Sequence, residues 1–173
     1  MGRNAIIFHG THAEPDWIWY PWLADRLRER GYDVDLPHHP GTNTDPIATF
    51  LPTVLAAHTF DEDTVLVGHS GGAALLLALL EHLDVTVAQA VLVAGYSTPP
   101  NDAPEPVLQD GYDWAAIRSH ARQLVFVNSV TDVFGCDADQ GRAMFDHLGG
   151  TLVVRDDGHF VTETLELVDR LIP

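Results

Sequence analysis

Short apolar runs alternate with longer apolar or amphipathic segments along the whole chain. The short runs have the length and composition of strands buried on both faces, and the longer segments between them have the length of helices. The pattern predicts six strands, at 4–8, 32–36, 64–67, 90–94, 123–128 and 151–154. It also predicts six helices, at 21–30, 46–57, 73–83, 113–120, 138–148 and 161–171.

A regular alternation of strands and helices predicts a parallel sheet covered by helices on both faces, because right-handed crossovers leave few other arrangements. The expected fold class is therefore α/β, a three-layer α/β/α sandwich around a mostly parallel six-stranded sheet. The chain of 173 residues is long enough for one core and too short for two, so residues 1–173 are expected to form a single domain. Functional side chains are expected at the carboxyl ends of the strands.

The charge balance restricts the class of partner. The formal net charge is −16, with nine Arg and no Lys. Nucleic acid and anionic membrane both require a basic face, so neither is an expected partner. An acidic, Lys-free surface suits either a high-salt cytoplasm or a GC-rich genome, and the sequence does not separate the two.

The same composition favours a cytoplasmic protein. No apolar run reaches membrane-spanning length, and the first residues enter a strand directly instead of forming a signal-peptide pattern. The single Cys136 cannot form an internal disulfide, which agrees with a reducing compartment, and nothing around it in the sequence indicates an activated thiol.

The segment 68–72, Gly-His-Ser-Gly-Gly, connects a predicted strand to a predicted helix. It is a G-x-S-x-G motif at the kind of junction where the middle residue takes a strained conformation and small neighbours avoid clashes. Ser70 is therefore the predicted nucleophile. A glycine-rich turn could instead cradle a phosphate, but the segment matches neither G-x-G-x-x-G nor the Walker pattern, and the chain has no Lys to reach a phosphate.

A serine hydroxyl needs a base to accept its proton, and in this type of fold the chain order is Ser, acid, His. The last predicted strand leads into the turn Gly158-His159-Phe160, which makes His159 the predicted base. Asp132 is the first carboxylate after the fifth strand, so it is the predicted acid. Its expected role is to fix the tautomer of His159 and stabilise the imidazolium.

Two backbone N–H groups are expected to stabilise the oxyanion. One is the N–H of Gly71, at the start of a helix where unpaired donors and the helix dipole favour negative charge. The other should come from the loop after the first strand. Thr11 is the first candidate there, and His12 is the alternative.

Four aromatic residues follow this loop, at positions 17, 19, 20 and 22. They are interpreted either as core packing or as the wall of an acyl pocket, since aromatic linings are typical of ligand sites. In the second interpretation, the pocket wall is formed by His12, Trp17 and Trp19.

With these residues assembled, the chain resembles the small serine hydrolases typified by retinoblastoma-binding protein nine. The resemblance spans nearly the whole chain and rests chiefly on the segments 68–72 and 158–160, with Asn128-Ser129-x-x-Asp132 between them. It implies a minimal α/β-hydrolase fold without a lid domain and the triad Ser70, Asp132 and His159. The chain departs from the family in having Val133 after the acid, where Pro is frequent. The docking pattern Leu-x-Cys-x-Glu is absent, so no protein partner is assigned.

The expected function is hydrolysis of small carboxylic esters through an acyl-enzyme. The one irregular segment, Tyr96 to Gly111, is a surface loop or a short flap; it is too short for a lid domain, which predicts an open site and short acyl chains. No cofactor or metal is expected, because the adjacent His38 and His39 lack a third ligand at matching spacing. Two alternatives remain: a protein-binding module with a vestigial triad, and a peptidase or acyltransferase using the same triad.

Overall fold

Six parallel strands form one sheet at the centre of the molecule. The computed structural model describes residues 2–173. The strands are β1 (Asn4–Phe8), β2 (Asp33–Asp35), β3 (Thr64–His69), β4 (Val87–Val93), β5 (Ala121–Ser129) and β6 (Thr151–Arg155). Their spatial order is β2-β1-β3-β4-β5-β6, and each neighbouring pair is parallel. The chain changes direction across the sheet at β1, which pairs with β2 on one side and with β3 on the other.

Helices cover the sheet on both faces. They are α1 (Tyr20–Glu29), α2 (Ile47–Ala57), α3 (Gly71–His82), α4 (Trp114–Ser119), α5 (Ala138–Leu148) and α6 (Glu166–Leu171). Helix α1 packs against α6, whereas α2, α3, α4 and α5 pack side by side in that order. The result is the expected three-layer α/β/α sandwich, and residues 2–173 form no separate lid over the carboxyl edge of the sheet. Among the residues that the structure describes, no helix has both the length and the apolar character needed to cross a membrane.

The centre of the core is formed by β3 and α3. All six residues of β3 are buried, as expected for a strand with helices on both faces. Residues 71–80 of α3 are also buried, so this helix has no solvent face over most of its length. Such a helix is apolar all round, which explains why its sequence reads as a continuous apolar run with little amphipathic pattern.

Several predicted element boundaries are wrong. Helix α3 begins at Gly71 instead of residue 73, and strand β4 begins at Val87 instead of residue 90. Helix α2 begins at Ile47, one residue later than predicted, and no side chain caps it. The last helix begins at Glu166 instead of Val161, because the Thr162 hydroxyl donates to the carbonyl of Thr164 at 2.7 Å and stabilises a local non-helical turn.

Close packing at the start of α3 makes Gly72 a test of the fold. A Cβ placed on Gly72 would lie 2.5 Å from the carbonyl oxygen of Phe8 in β1. Since backbone cannot move aside as a flexible side chain can, Gly72→Ala is expected to lower the free energy of unfolding by about 1–3 kcal/mol. Urea denaturation measures the change.

The matched control for this substitution is Gly111→Ala. A Cβ on Gly111 meets nothing within 4 Å, and this glycine has no positive φ. The control should leave the free energy of unfolding within about 0.5 kcal/mol of wild type. Equal stability of Gly72→Ala and the control would contradict the packing argument.

Candidate active site

The carboxyl edge of the sheet collects the predicted functional residues from four strands. Thr11 follows β1, Ser70 follows β3, Asp132 follows β5 and His159 follows β6. Because the carboxyl ends of parallel strands meet at one edge, residues that are far apart in sequence come together there.

The turn at Ser70 has the strained backbone that the motif predicts. Ser70 has φ 56° and ψ −120°, a conformation that costs a non-glycine residue about 1–3 kcal/mol. Its N–H donates to the carbonyl of Val93 in β4 at 2.8 Å, and its carbonyl accepts from the N–H of Ala74 at 3.0 Å. A Cβ on Gly68 would lie 2.5 Å from the carbonyl oxygen of Gly72. The glycines of the motif therefore permit a close approach of backbone that holds Ser70 in place.

Three side chains form a hydrogen-bonded series at this edge. Ser70 Oγ lies 3.0 Å from His159 Nε2, and His159 Nδ1 lies 2.7 Å from Asp132 Oδ2. A carboxylate only accepts, so Nδ1 carries the proton and Nε2 is free to accept from the serine hydroxyl. The arrangement can move a proton from Ser70 to His159 while the carboxylate stabilises the resulting positive charge.

The carboxylate of this series is isolated from solvent. The Asp132 side chain has no exposed surface, and the His159 side chain is 11% exposed. The other carboxylate oxygen of Asp132 accepts from the backbone N–H of Phe134 at 2.9 Å. Both oxygens are therefore engaged, which fixes the direction in which the carboxylate meets the imidazole ring.

The two predicted oxyanion donors lie beside Ser70. The N–H of Gly71 opens α3, where the first N–H groups have no acceptor within the helix. An ideal Cβ built on Gly71 would lie 3.3 Å from the backbone nitrogen of Thr11, so the two N–H groups are close neighbours. The N–H of Gly10 is not available, since it donates to the Tyr20 hydroxyl at 3.1 Å.

A cavity of about 420 Å³ opens next to Ser70 and His159. Of the three predicted wall residues, His12 and Trp17 line this cavity. The prediction for Trp19 is wrong: its side chain is fully buried in the core and does not line the cavity. The Trp19 indole donates its Nε1–H to the carbonyl of Phe160 at 2.9 Å, so it holds the backbone next to His159 instead.

A buried hydrogen-bonded chain joins the loop after β1 to the His159 turn. The Gly10 N–H donates to the Tyr20 hydroxyl, which lies 2.6 Å from His69 Nδ1. His69 Nε2 lies 2.8 Å from the carbonyl of His159, so this nitrogen carries the proton and Nδ1 accepts from Tyr20. Burial lowers the pKa of His69 to about 3, which keeps the ring neutral and its tautomer fixed.

The sequence analysis missed the roles of Tyr20 and His69. His69 occupies a variable position of the G-x-S-x-G motif, and Tyr20 lies in an aromatic run that was interpreted as core or pocket wall. The available signal was a polar imidazole in the middle of an otherwise small and apolar strand end, since a buried imidazole requires hydrogen-bond partners.

Cys136 lies beside Asp132 and His159. Its Sγ and ligand atoms of Asp132 and His159 all lie within 4.8 Å of one another, a spacing that metal ligands can have. Burial raises the pKa of the Cys136 thiol, so the thiolate that binds metals is disfavoured. Both oxygens of Asp132 also have hydrogen-bond donors already. The donor set therefore fits a proton-transfer series better than a metal centre.

The sheet, the turn at Ser70 and the hydrogen-bonded series define an α/β-hydrolase with a serine, a histidine and a carboxylate at its carboxyl edge. The sequence profile of the serine hydrolase family matches residues 5–164. This chain belongs to the serine hydrolase family.

Individual relatives agree with this membership. YdeN of Bacillus subtilis (strain 168) is 31% identical over 137 residues, covering 76% of this chain and 72% of YdeN. The crystal structure of the ydeN gene product has a TM-score of 0.88 at 26% identity and covers 98% of this chain and 96% of that one.

More distant structures share the fold alone. Est1E from Butyrivibrio proteoclasticus, solved with ferulic acid bound, has a TM-score of 0.66 at 15% identity, covering 98% of this chain and 86% of Est1E. A Xanthomonas campestris pv. campestris protein of the alpha/beta hydrolase superfamily has a TM-score of 0.70 at 17% identity, covering 98% of this chain and 95% of that protein.

The Tyr20 hydroxyl provides a test of the buried chain. Tyr20→Phe leaves the Gly10 N–H without its acceptor and His69 Nδ1 without its donor. Because both groups are buried, the free energy of unfolding should fall by about 1–3 kcal/mol, measured by urea denaturation. Tyr112→Phe is the control, since the Tyr112 hydroxyl only accepts a long bond of 3.4 Å from Gln109. A loss no larger than that of the control would show that this series of hydrogen bonds contributes little to the free energy of unfolding.

Proposed function

We propose that this protein is a serine esterase that cleaves small carboxylic esters through an acyl-enzyme. The observation that carries the proposal is the series from Ser70 Oγ to His159 Nε2 and from His159 Nδ1 to Asp132, at 3.0 and 2.7 Å. Both distances lie within the range of about 2.6–3.2 Å expected of an activated nucleophile and its base.

The first half of the reaction forms the acyl-enzyme. Ser70 Oγ attacks the ester carbonyl as its proton passes to His159 Nε2, and the N–H groups of Gly71 and Thr11 stabilise the oxyanion. When the tetrahedral intermediate collapses, the bond to the alkoxy oxygen breaks. The imidazolium of His159 gives its proton to that oxygen, and the alcohol leaves.

The second half of the reaction releases the acid. Water enters the position of the alcohol and gives a proton to His159 as it attacks the acyl carbon. A second oxyanion forms at the same two N–H groups. Its collapse breaks the bond to Ser70 Oγ, which recovers its proton from His159, and the carboxylic acid leaves. No step requires a group beyond the residues of this chain, the ester and water.

The cavity favours a small acyl group. Its volume of about 420 Å³ lies toward the lower end of the range of about 300–1,000 Å³ typical of ligand sites. Segment 96–111 contributes Tyr96, Pro100, Asn101 and Glu105 to the lining and is too short to form a lid domain over the site. An open cavity of this size encloses a short acyl chain and leaves a long one in water.

Covalent labelling separates an enzyme from a protein-binding module. A fluorophosphonate probe is expected to label the wild type, because an activated serine attacks phosphorus, and to leave Ser70→Ala and His159→Ala unlabelled.

By analogy with the same change in a serine protease triad, Asp132→Asn should lower kcat by about 10⁴. The measurement is turnover of p-nitrophenyl acetate.

The matched control for Asp132→Asn is Asp139→Asn, an exposed carboxylate in α5. It should leave both labelling and turnover near the wild-type level. Absence of labelling in a folded wild type would favour a binding module with a vestigial triad. Faster cleavage of an aminoacyl anilide than of the esters would favour a peptidase.

A panel of p-nitrophenyl esters tests the acyl preference. Acetate and butyrate are expected to be cleaved with a higher kcat/KM than dodecanoate by at least about tenfold, since most of a long chain gains no burial in this cavity. Assays are run below the micelle-forming concentration of the long ester, so that substrate aggregation does not produce the difference. A rising kcat/KM with chain length would overturn the short-acyl proposal.

A further inference from the structure

The cavity beside Ser70 contains a carboxylate that the proposed mechanism does not use. Glu105 lines this cavity together with Ser70 and His159. Its Oε2 accepts from the Tyr96 hydroxyl at 2.5 Å and from the Asn43 side-chain amide at 2.7 Å. Its Oε1 accepts no hydrogen bond within residues 2–173 and is not fully buried. One oxygen of this cavity-lining carboxylate is therefore left without a protein donor.

No cationic side chain of the lining offsets this charge. None of the nine Arg residues lines the cavity, and the chain has no Lys. Of the imidazoles in the lining, His69 is neutral because burial lowers its pKa to about 3, and His159 is paired with Asp132. His12 is the third imidazole in the lining. An anionic group placed in this cavity meets uncompensated negative charge.

Aromatic side chains form much of the remaining wall. Trp17 and Phe134 line the cavity and are about half exposed, at 50% and 55%. The faces of such rings attract ammonium groups. A carboxylate and exposed aromatic rings in the lining of one cavity form a combination that favours an organic cation over a neutral group of the same shape.

We propose that this cavity is a subsite for the cationic part of an ester substrate, with Glu105 as its recognition residue. A substrate ammonium group lies against Glu105 Oε1 and the rings of Trp17 and Phe134. Esters that carry a carboxylate at the same position are rejected by Coulomb repulsion. The turnover part of this inference rests on the proposed esterase function, whereas the binding part does not.

Glu105 has contacts that could serve a second role, and the experiment has to separate the two. Asn43, which donates to Glu105, also donates to Thr11 Oγ1 at 3.0 Å, in the loop of the second oxyanion donor. A substitution that only disturbs this loop slows charged and neutral esters equally. Loss of a recognition charge lowers the preference for cations and leaves neutral esters largely unaffected.

Two isosteric ester pairs measure the preference at pH 8, where an ordinary imidazole is neutral. One pair varies the acyl part, p-nitrophenyl 6-aminohexanoate against p-nitrophenyl heptanoate. The other varies the alcohol part, butyrylcholine against 3,3-dimethylbutyl butyrate. In at least one pair, Glu105→Gln should reduce the cationic-to-neutral ratio of kcat/KM by roughly tenfold to a hundredfold, as expected when the ammonium group loses its anionic partner.

The control for overall charge is Asp102→Asn, an exposed carboxylate on the same segment. The acidic surface as a whole attracts cations, and this control reports how much of the preference comes from that long-range field. It should change the ratio by less than about twofold at physiological ionic strength, where exposed charges are screened. Tyr96→Phe removes one donor to Glu105 without changing the charge, so it reports the effect of disturbing the loop.

A binding measurement keeps the inference testable if turnover is absent. In the Ser70→Ala protein, hexyltrimethylammonium should raise the melting temperature more than hexanol does, and Glu105→Gln should remove that difference.

If wild type cleaves neutral esters but Glu105→Gln leaves both the ratio and the thermal shift unchanged, the subsite proposal is wrong and the esterase proposal stands. If no ester is cleaved but the thermal shift depends on Glu105, the esterase proposal is wrong and the subsite stands. Equal loss on all esters in Glu105→Gln and Tyr96→Phe, without a Glu105-dependent thermal shift, would overturn recognition in favour of positioning.

Discussion

The close approach of β1 to the start of α3 is the constraint on which the site depends. No side chain fits at Gly72, because the carbonyl of Phe8 occupies the place of its Cβ. This contact fixes the direction in which α3 leaves the sheet, and the strained backbone of Ser70 follows from it. The packing of α3, which is buried over nearly its whole length, supplies the stability that offsets this strain.

The same edge is also held together by hydrogen bonds between buried side chains and backbone groups. His69 and Trp19 donate to the carbonyls of His159 and Phe160, so two buried rings support the turn that carries His159. Through Tyr20, the same network reaches Gly10, in the loop that contains Thr11. A displacement of either loop therefore leaves a buried polar group unpaired. That penalty restricts how His159 and the loop that contains Thr11 can move relative to Ser70.

The sequence was sufficient to predict the sheet and to select Ser70, Asp132 and His159 as triad candidates, because strand length and chain order are local signals. It was not sufficient for Trp19, since an aromatic run does not indicate which ring faces the core. Nor did it indicate Glu105, whose partner Asn43 is 62 residues away and is brought near only by the fold. Local rules failed where a long-range contact or a local side-chain turn, as at Thr162, decided the outcome.

The position of Glu105 has a consequence for reactivity as well as for binding. Through Asn43 it is linked to Thr11, beside which the oxyanion is expected to form, so its charge opposes the negative charge that develops there. In the proposed mechanism, a neutral ester would react against that repulsion. A bound ammonium group would cancel it, and the cancellation would matter more in the transition state, where the oxyanion exists, than in the ground state. A preference for cationic esters should therefore appear in kcat and not only in KM.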